Sequence, residues 1–240
     1  MDINRYFEEN GTTLFAGRNT IKRMEIDGEM VVVKRFRQPN IFQKIVYTFF
    51  RKTKAYRAFH NGEELTRRGF RTPRPIKYIE TRRAGLIDWC YYITTEINMP
   101  PIEDWLYRDD WDRDMAQRFA RFAAQLHDKG VLHWDLNDTN VRVEGEFNGS
   151  GNWFWLIDIN RMEFYDEGVE IPLEVCMDNL TRFTGRMDLF EYVVREYARA
   201  RGLDEDAVAQ LGVRIKTQHD VAWKRRKRIG GMLKKIVRQG

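Results

Sequence analysis

Three side chains of this 240-residue sequence have the types and spacing to move a phosphoryl group: Asp135, Asn140 and Asp158. The first two lie in H-W-D-L-N-D-T-N at 133–140, and the third closes the apolar run of W-L-I-D-I-N-R at 155–161. Phosphoryl transfer to a hydroxyl is mostly positioning and charge neutralisation. One carboxylate accepts the attacking hydroxyl's proton, while an amide oxygen and a second carboxylate hold Mg²⁺ on a nucleoside triphosphate. Asp135 suits the first task, and Asn140 with Asp158 the second. Singly, each has a plainer reading: Asp135 as a solvent-loop acid, Asn140 as a turn former beside Thr139, Asp158 as a strand-end turn residue. The three together outweigh those readings.

The elements that must position them follow from the sequence pattern. Thr20–Ile26 and Glu29–Phe36 flank Asp27-Gly28, a strong signal for a two-residue hairpin. Ahead of them, Gly11–Asn19 is the natural place for a phosphate-covering loop, in which Gly11 and Gly17 present backbone N–H groups and Arg18 and Asn19 contact phosphate. Residues 52–68 read as a helix that ends at Gly69, and the Pro73/Pro75 pair enforces an extended exit. Ile76–Glu80 and Trp89–Glu96 read as two more strands. Asn98-Met99-Pro100-Pro101 is the expected hinge. Met115, Phe119, Phe122, Ala123 and Leu126 form one stripe of an amphipathic helix. Val141–Glu144 and Trp153–Ile157 read as a short hairpin around Asn148-Gly149, and residues 173–212 as packed helices. Strands, one helix, a hinge and then mainly helices imply an α+β class, with residues 1–97 as a small antiparallel-sheet lobe and 98–240 as a helical one.

The protein-kinase signature separates its catalytic Asp from its metal-binding Asn by five residues, as Asp135 and Asn140 are separated here. More of the chain carries a narrower resemblance: G-R-N-T-I-K at 17–22, V-V-V-K-R-F at 31–36, F-R-K-T-K-A at 50–55, G-F-R-T-P-R-P at 69–75, L-H-D-K-G-V-L-H-W-D-L-N at 126–137 and D-N-L-T-R-F at 178–183. From about residue 11 to about residue 200 the sequence resembles the lipopolysaccharide core (Kdo/heptose) kinases of the protein-kinase-like superfamily. The resemblance implies a two-lobed kinase-like fold, ATP and Mg²⁺ as cofactors, and a lipid A–core glycolipid acceptor. It makes Asp135 the catalytic base, Asn140 and Asp158 the metal ligands, and Lys34 the ammonium that pairs the nucleotide phosphates. It places the adenine against the backbone of Thr94–Ile97, including Glu96 and Ile97.

Two departures stand out. The family's helix Glu, partner of the lysine, should lie near residues 58–60, where this chain has Ala58, Phe59 and His60. Glu63 and Glu64 are the helix's acids and are taken as the candidates. The Phe-Gly that usually follows the metal-binding Asp is here Ile159-Asn160, which argues against a movable activation segment.

Charge is uneven along the chain. Residues 34–83 carry 15 basic and 3 acidic groups, and 84–213 carry 12 and 26. Residues 214–240 carry 10 and 1. The basic regions imply an anionic partner. Basic segments at 41–57 and 222–238 mix cations with large apolar residues, as helices in an anionic headgroup layer do. A C-terminal helix docked on its own domain is the equal alternative for the tail. Nucleic acid is not expected, since no RNP-like or zinc-finger pattern is present. The start of the chain lacks a secretory apolar region, and no apolar run approaches the roughly 18 residues of a membrane span. Cys90 and Cys176 read as buried free thiols. The expectation is a cytoplasmic enzyme, peripheral on the inner membrane. Its rivals are a RIO-like protein kinase, a small-molecule phosphotransferase, and a catalytically inactive membrane-binding scaffold.

Overall fold

The computed structural model describes residues 2–145 and 154–239, with side chains as far as Arg228. The chain opens with α1 (Ile3–Glu9), capped by Asp2, whose carboxylate accepts from the Asn4 N–H at 2.9 Å. β1 (Thr12–Ala16), β2 (Thr20–Ile26) and β3 (Glu29–Arg35) follow. Asp27 and Gly28 turn β2 into β3 with φ of 53° and 80°, the two left-handed residues that a tight hairpin needs. α2 (Ile41–Phe49), α3 (Lys54–Arg67), β4 (Pro75–Arg83) and β5 (Leu86–Thr95) complete this part. The strands form one antiparallel sheet in the order β1-β2-β3-β5-β4.

Period-two alternation splits the sheet's side chains between two cores. Val31, Val33, Tyr91 and Ile93 pack with Met24 on Ile3 and Phe7 of α1. Ile87, Cys90, Tyr92 and Phe36 pack on Ala55 and Ala58 of α3. Each large apolar side chain so buried contributes roughly 1.5–3 kcal/mol. Besides the expected α3 there are two further helices. α1 is a seven-residue helix, too short to show a period. α2 buries none of its residues, although its apolar groups recur at helical spacing. Gly62 lets α3 lie close to its neighbours. A Cβ there would stand 2.5 Å from Pro75 Cγ and 3.2 Å from Ile159 Cδ1, which outweighs the roughly 1 kcal/mol cost of glycine inside a helix.

Beyond β5 come α4 (Glu103–Leu106), α5 (Arg113–Asp128), β6 (Val131–His133), β7 (Val141–Val143), β8 (Phe154–Leu156), a 3₁₀ turn (Ile159–Arg161), β9 (Met162–Phe164), α6 (Leu173–Leu180), α7 (Met187–Ala200) and α8 (Glu205–Gln239). β7 and β8 pair antiparallel; the expected turn at Asn148-Gly149 lies outside the described residues. The chain divides into two compact units, Met1–Pro100 with Asn140–Met162, and Pro101–Thr139 with Glu163–Gly240. The first break falls three residues after Ile97, the expected boundary, and residues 140–162 join the first unit. Backbone bonds account for that: Val143 N–H to Pro100 O at 2.9 Å, Leu156 N–H to Arg71 O at 2.9 Å.

In the second unit the expected stripe of α5 is buried: Met115, Phe119, Phe122, Ala123 and Leu126. Phe119 stacks on Phe183 with ring centroids 3.7 Å apart. Two buried polar side chains tie the helices together. His127 meets Tyr197 Oη at 2.9 Å and Asn179 Oδ1 at 3.0 Å, and burial pushes its pKa down to about 4. Lys216 of α8, 1% exposed, donates to Thr181 O at 3.1 Å and pairs with Asp220. The first half of α8 is therefore docked on its own domain, whereas Val221 and Trp223 beyond it are exposed. Among the described residues no helix is long and apolar enough to cross a membrane.

Candidate active site

Lys34 lies on β3 opposite Tyr92 of β5. Its ammonium donates to Asp158 Oδ1 at 2.7 Å, a pair drawn from 124 positions apart. Asp158 sits between β8 and the 3₁₀ turn with φ 56° and ψ 42°, a left-handed conformation that is uncommon outside glycine and asparagine or aspartate. Asn160 Nδ2 donates to the same oxygen at 2.5 Å. Asn61 of α3 fixes the turn from behind, its Nδ2 donating to Ile159 O at 2.7 Å. Asn140 is buried at the start of β7, and its carbonyl accepts the Ile157 N–H at 3.0 Å. Lys34, Asn140 and Asp158 thus belong to one unit.

The helix acids are placed elsewhere. Glu64 is gripped by Arg67 and Arg68, which hold its carboxyl down at about 2. Glu63 pairs with His60 Nδ1 at 3.0 Å. Lys34 pairs with Asp158, whereas one helical turn along α3 Glu64 meets Arg67 and Arg68 and Glu63 meets the His60 ring. Gly11–Asn19 is mostly strand. Gly11 precedes β1 with φ 81°, and a Cβ there would stand 2.6 Å from Arg23 O, so backbone packing alone accounts for that glycine. Gly17, Arg18 and Asn19 form the β1–β2 turn, closed by Gly17 N–H to Asn19 O at 3.0 Å. Asn19 Oδ1 accepts the Arg37 N–H, and Glu96 pairs with Arg23 at 2.8 Å. Ile97 follows β5 as irregular backbone.

Asp135 belongs to the second unit. It follows β6 in a tight loop in which Leu136 N–H meets His133 O and Asn137 N–H meets Asp135 O, both at 2.9 Å. His133 is fully buried, and its Nδ1 accepts the Asp135 N–H at 3.2 Å, which puts its proton on Nε2. Asn137 Oδ1 takes Thr139 N–H and Oγ1–H, bracing the turn. Arg182 Nη1 stands 3.0 Å from Asp135 Oδ1 and orients that carboxylate. Burial and the charge of Glu103 raise the pKa of Asp138 in the same loop. Arg182, Asn160 and Asn61 were not among the residues singled out by chemistry. Arg182 does fall inside D-N-L-T-R-F, and Asn160 stands where the usual glycine is replaced.

The donors present are hard oxygens, a carboxylate on Asp158 and an amide on Asn140, the kind Mg²⁺ takes together with phosphate oxygens. Among the described residues no group of three or more His, Cys, Asp or Glu side chains is gathered. The donor set therefore suits a metal carried in on a nucleotide better than a metal caged by protein alone.

The comparisons with known proteins bear on this geometry. The family model described as lipopolysaccharide kinase (Kdo/WaaP) matches residues 9–168. The chain belongs to that family. Among its curated relatives, a 3-deoxy-D-manno-octulosonic acid kinase of Vibrio cholerae serotype O1 is 23% identical over 164 residues, 65% of this chain and 67% of the relative. One of Vibrio vulnificus is 24% identical over 151 residues, 60% of this chain and 61% of the relative. The chain thus spans about three fifths to two thirds of the length of the curated relatives it matches. The solved structure of WaaP in complex with acyl carrier protein is 18% identical, with a TM-score of 0.57 over 90% of this chain and 92% of that one. That likeness is one of fold, and it agrees with the α+β class.

Proposed function

We propose that this chain is an ATP-dependent kinase that phosphorylates a sugar hydroxyl, of Kdo or of heptose, in the lipopolysaccharide inner core. The observation that carries the reading is the Lys34–Asp158 contact at 2.7 Å: residues from the sheet and from the base of the β7–β8 pair meet as a phosphate clamp and a metal carboxylate must. Asp135, held by Arg182, accepts the acceptor hydroxyl's proton and orients its oxygen. Asn140 and Asp158 hold Mg²⁺, which neutralises charge on the phosphates when bound. Lys34 keeps Asp158 oriented in the free protein and turns to the nucleotide phosphates in the complex. The Vibrio relatives' names favour Kdo over heptose as the acceptor sugar.

An anionic membrane surface is the proposed place of work. Ile41, Phe42, Phe49 and Phe50 on and after α2 are 68 to 81% exposed, with Arg51 and Lys52 following them directly. A patch of that kind on a soluble surface marks an interaction site, and apolar side chains flanked by cations fit the headgroup layer. The test is transfer of label from Mg·ATP to purified Kdo-containing and heptose-containing acceptors. Asp135→Ala should lower the rate by about 10²–10⁴-fold, the span that a positioned acid–base group contributes. Transfer that survives Asp135→Ala, or label that goes only to protein serine, would sink the reading. No transfer by the parent chain, with intact ATP binding, would point to the inactive scaffold.

A further inference from the structure

Between the end of β3 and the starts of α2 and α3 lies a cavity of about 310 Å³. Arg18, Arg37 and Lys54 line it, and no acidic side chain does. Among the described residues, none of these three side chains is paired with a carboxylate. The carboxylates that touch other lining residues are engaged: Asp88 takes Gln38 and Lys44, and Glu80 accepts from Thr53 Oγ1 at 2.5 Å. No Asp or Glu occurs between Glu29 and Glu63. Arg18 and Arg37 are exposed and Lys54 half-buried, so solvent screens part of their mutual repulsion and a bound anion would relieve the rest. Burial first, and then the charges of Arg18, Arg161 and Arg57, lower the Lys54 pKa against the opposite pull of Asp158. Neither Lys34 nor Asp158 lines the cavity. The Phe36 ring does, with Lys34 Nζ 5.3 Å from its centroid.

We propose that this cavity is a phosphate-binding site separate from the nucleotide's, held by Arg37 and Lys54, with Arg18 of the expected nucleotide-phosphate loop on its rim. Guanidinium forks and an ammonium are the groups that bind a phosphate monoester dianion, the first bidentately and the second as a point charge. The volume exceeds that of a bare phosphate and leaves room for a sugar attached to it. The assignment is independent of turnover of ATP by the chain.

The experiment is calorimetric titration with inorganic phosphate and with glucose 1-phosphate, each run without nucleotide and again with saturating Mg²⁺ and a non-hydrolysable ATP analogue. The parent chain should bind saturably. Arg37→Gln and Lys54→Met should each weaken binding about tenfold or more, the cost of losing one hydrogen bond to a charged group. Lys54→Arg should restore most of it, which separates lost charge from lost packing. Tighter binding of glucose 1-phosphate assigns the site to a phosphorylated sugar, and equal affinities assign it to free phosphate; each supports a phosphate site. Absence of saturable binding by both probes overturns the proposal. So does parent-like binding by the two neutral variants, and so does loss of binding once the nucleotide analogue saturates, which would make the cavity the nucleotide's own.

Discussion

The segment 34–62 and the segment 182–206 are both rich in cations, and they use them in opposite ways. In the second, all five arginines end on carboxylates: Arg182 on Asp135, Arg186 on Asp188, Arg195 on Glu191 and Asp206, Arg199 on Glu196 and Glu205, Arg201 on Asp128. In the first, Lys34, Arg35 and Lys44 find Asp158, Glu8 and Asp88. Arg37, Arg51, Lys52, Lys54 and Arg57 have no carboxylate partner among the described residues, and the Nε of Arg57 is buried without a hydrogen-bond partner. Count of charge is therefore a poor guide to role. Closure by acids nearby in sequence, as at Arg186, Arg195 and Arg199, ties a cation into the scaffold, whereas Lys34 and Arg182 meet distant acids of the candidate site.

The largest test strikes the closed region. His127 is held neutral between Tyr197 and Asn179, with its pKa down at about 4 against an ordinary 6.5. A folded-state pKa below the unfolded one means the unfolded chain binds the extra proton first, so stability falls as pH drops through 6.5 and levels off near 4. The loss across that window is of order 3 kcal/mol. Urea midpoints measured at pH 7 and pH 5 should show a drop that His127→Phe removes; an equal drop in the variant would mean that the helices are not closed around this ring. Next in size is the open region. Arg51→Gln with Lys52→Gln should weaken binding to anionic vesicles by about 2 kcal/mol, near 1 kcal/mol per cation, and leave the melting temperature alone. A melting shift instead of a vesicle effect would put these cations among the scaffold groups. The smallest effect belongs to an exposed closed pair. Arg195→Gln should leave vesicle binding and activity intact and move the melting temperature little, because exposed ion pairs contribute little; a large loss of vesicle binding would erase the contrast between the regions.

Much of this was legible in the residues. The Asp27-Gly28 turn, the stripe of α5 and the strand-end position of Asp158 depend on neighbours within a few residues, and the sequence displays such neighbours directly. The Lys34–Asp158 and Arg182–Asp135 contacts span 124 and 47 positions, and no local pattern encodes a pairing of that reach. Glu63 and Glu64 were natural candidates for Lys34 by helix membership. Arg67, Arg68 and His60 claim them first, at the i,i+3 and i,i+4 spacings where helical side chains meet. α2 falls inside the basic, apolar-rich segment 41–57 that reads as an interfacial helix, and its apolar residues are one-sided in sequence although none of them is buried. The pattern also shows its composition there, apolar and basic together.

The left-handed backbone at Asp158 sets local backbone strain against the proposed role of its carboxylate. A residue with a Cβ in that conformation costs of order 1–3 kcal/mol where glycine pays nothing. Drift to glycine at this one position would make the turn easier to form while deleting the carboxylate. Glycine there would relax the backbone but strip Lys34 and Asn160 of the oxygen they share, so the acid is held in the turn by its own neighbours as well as by the metal role proposed for it.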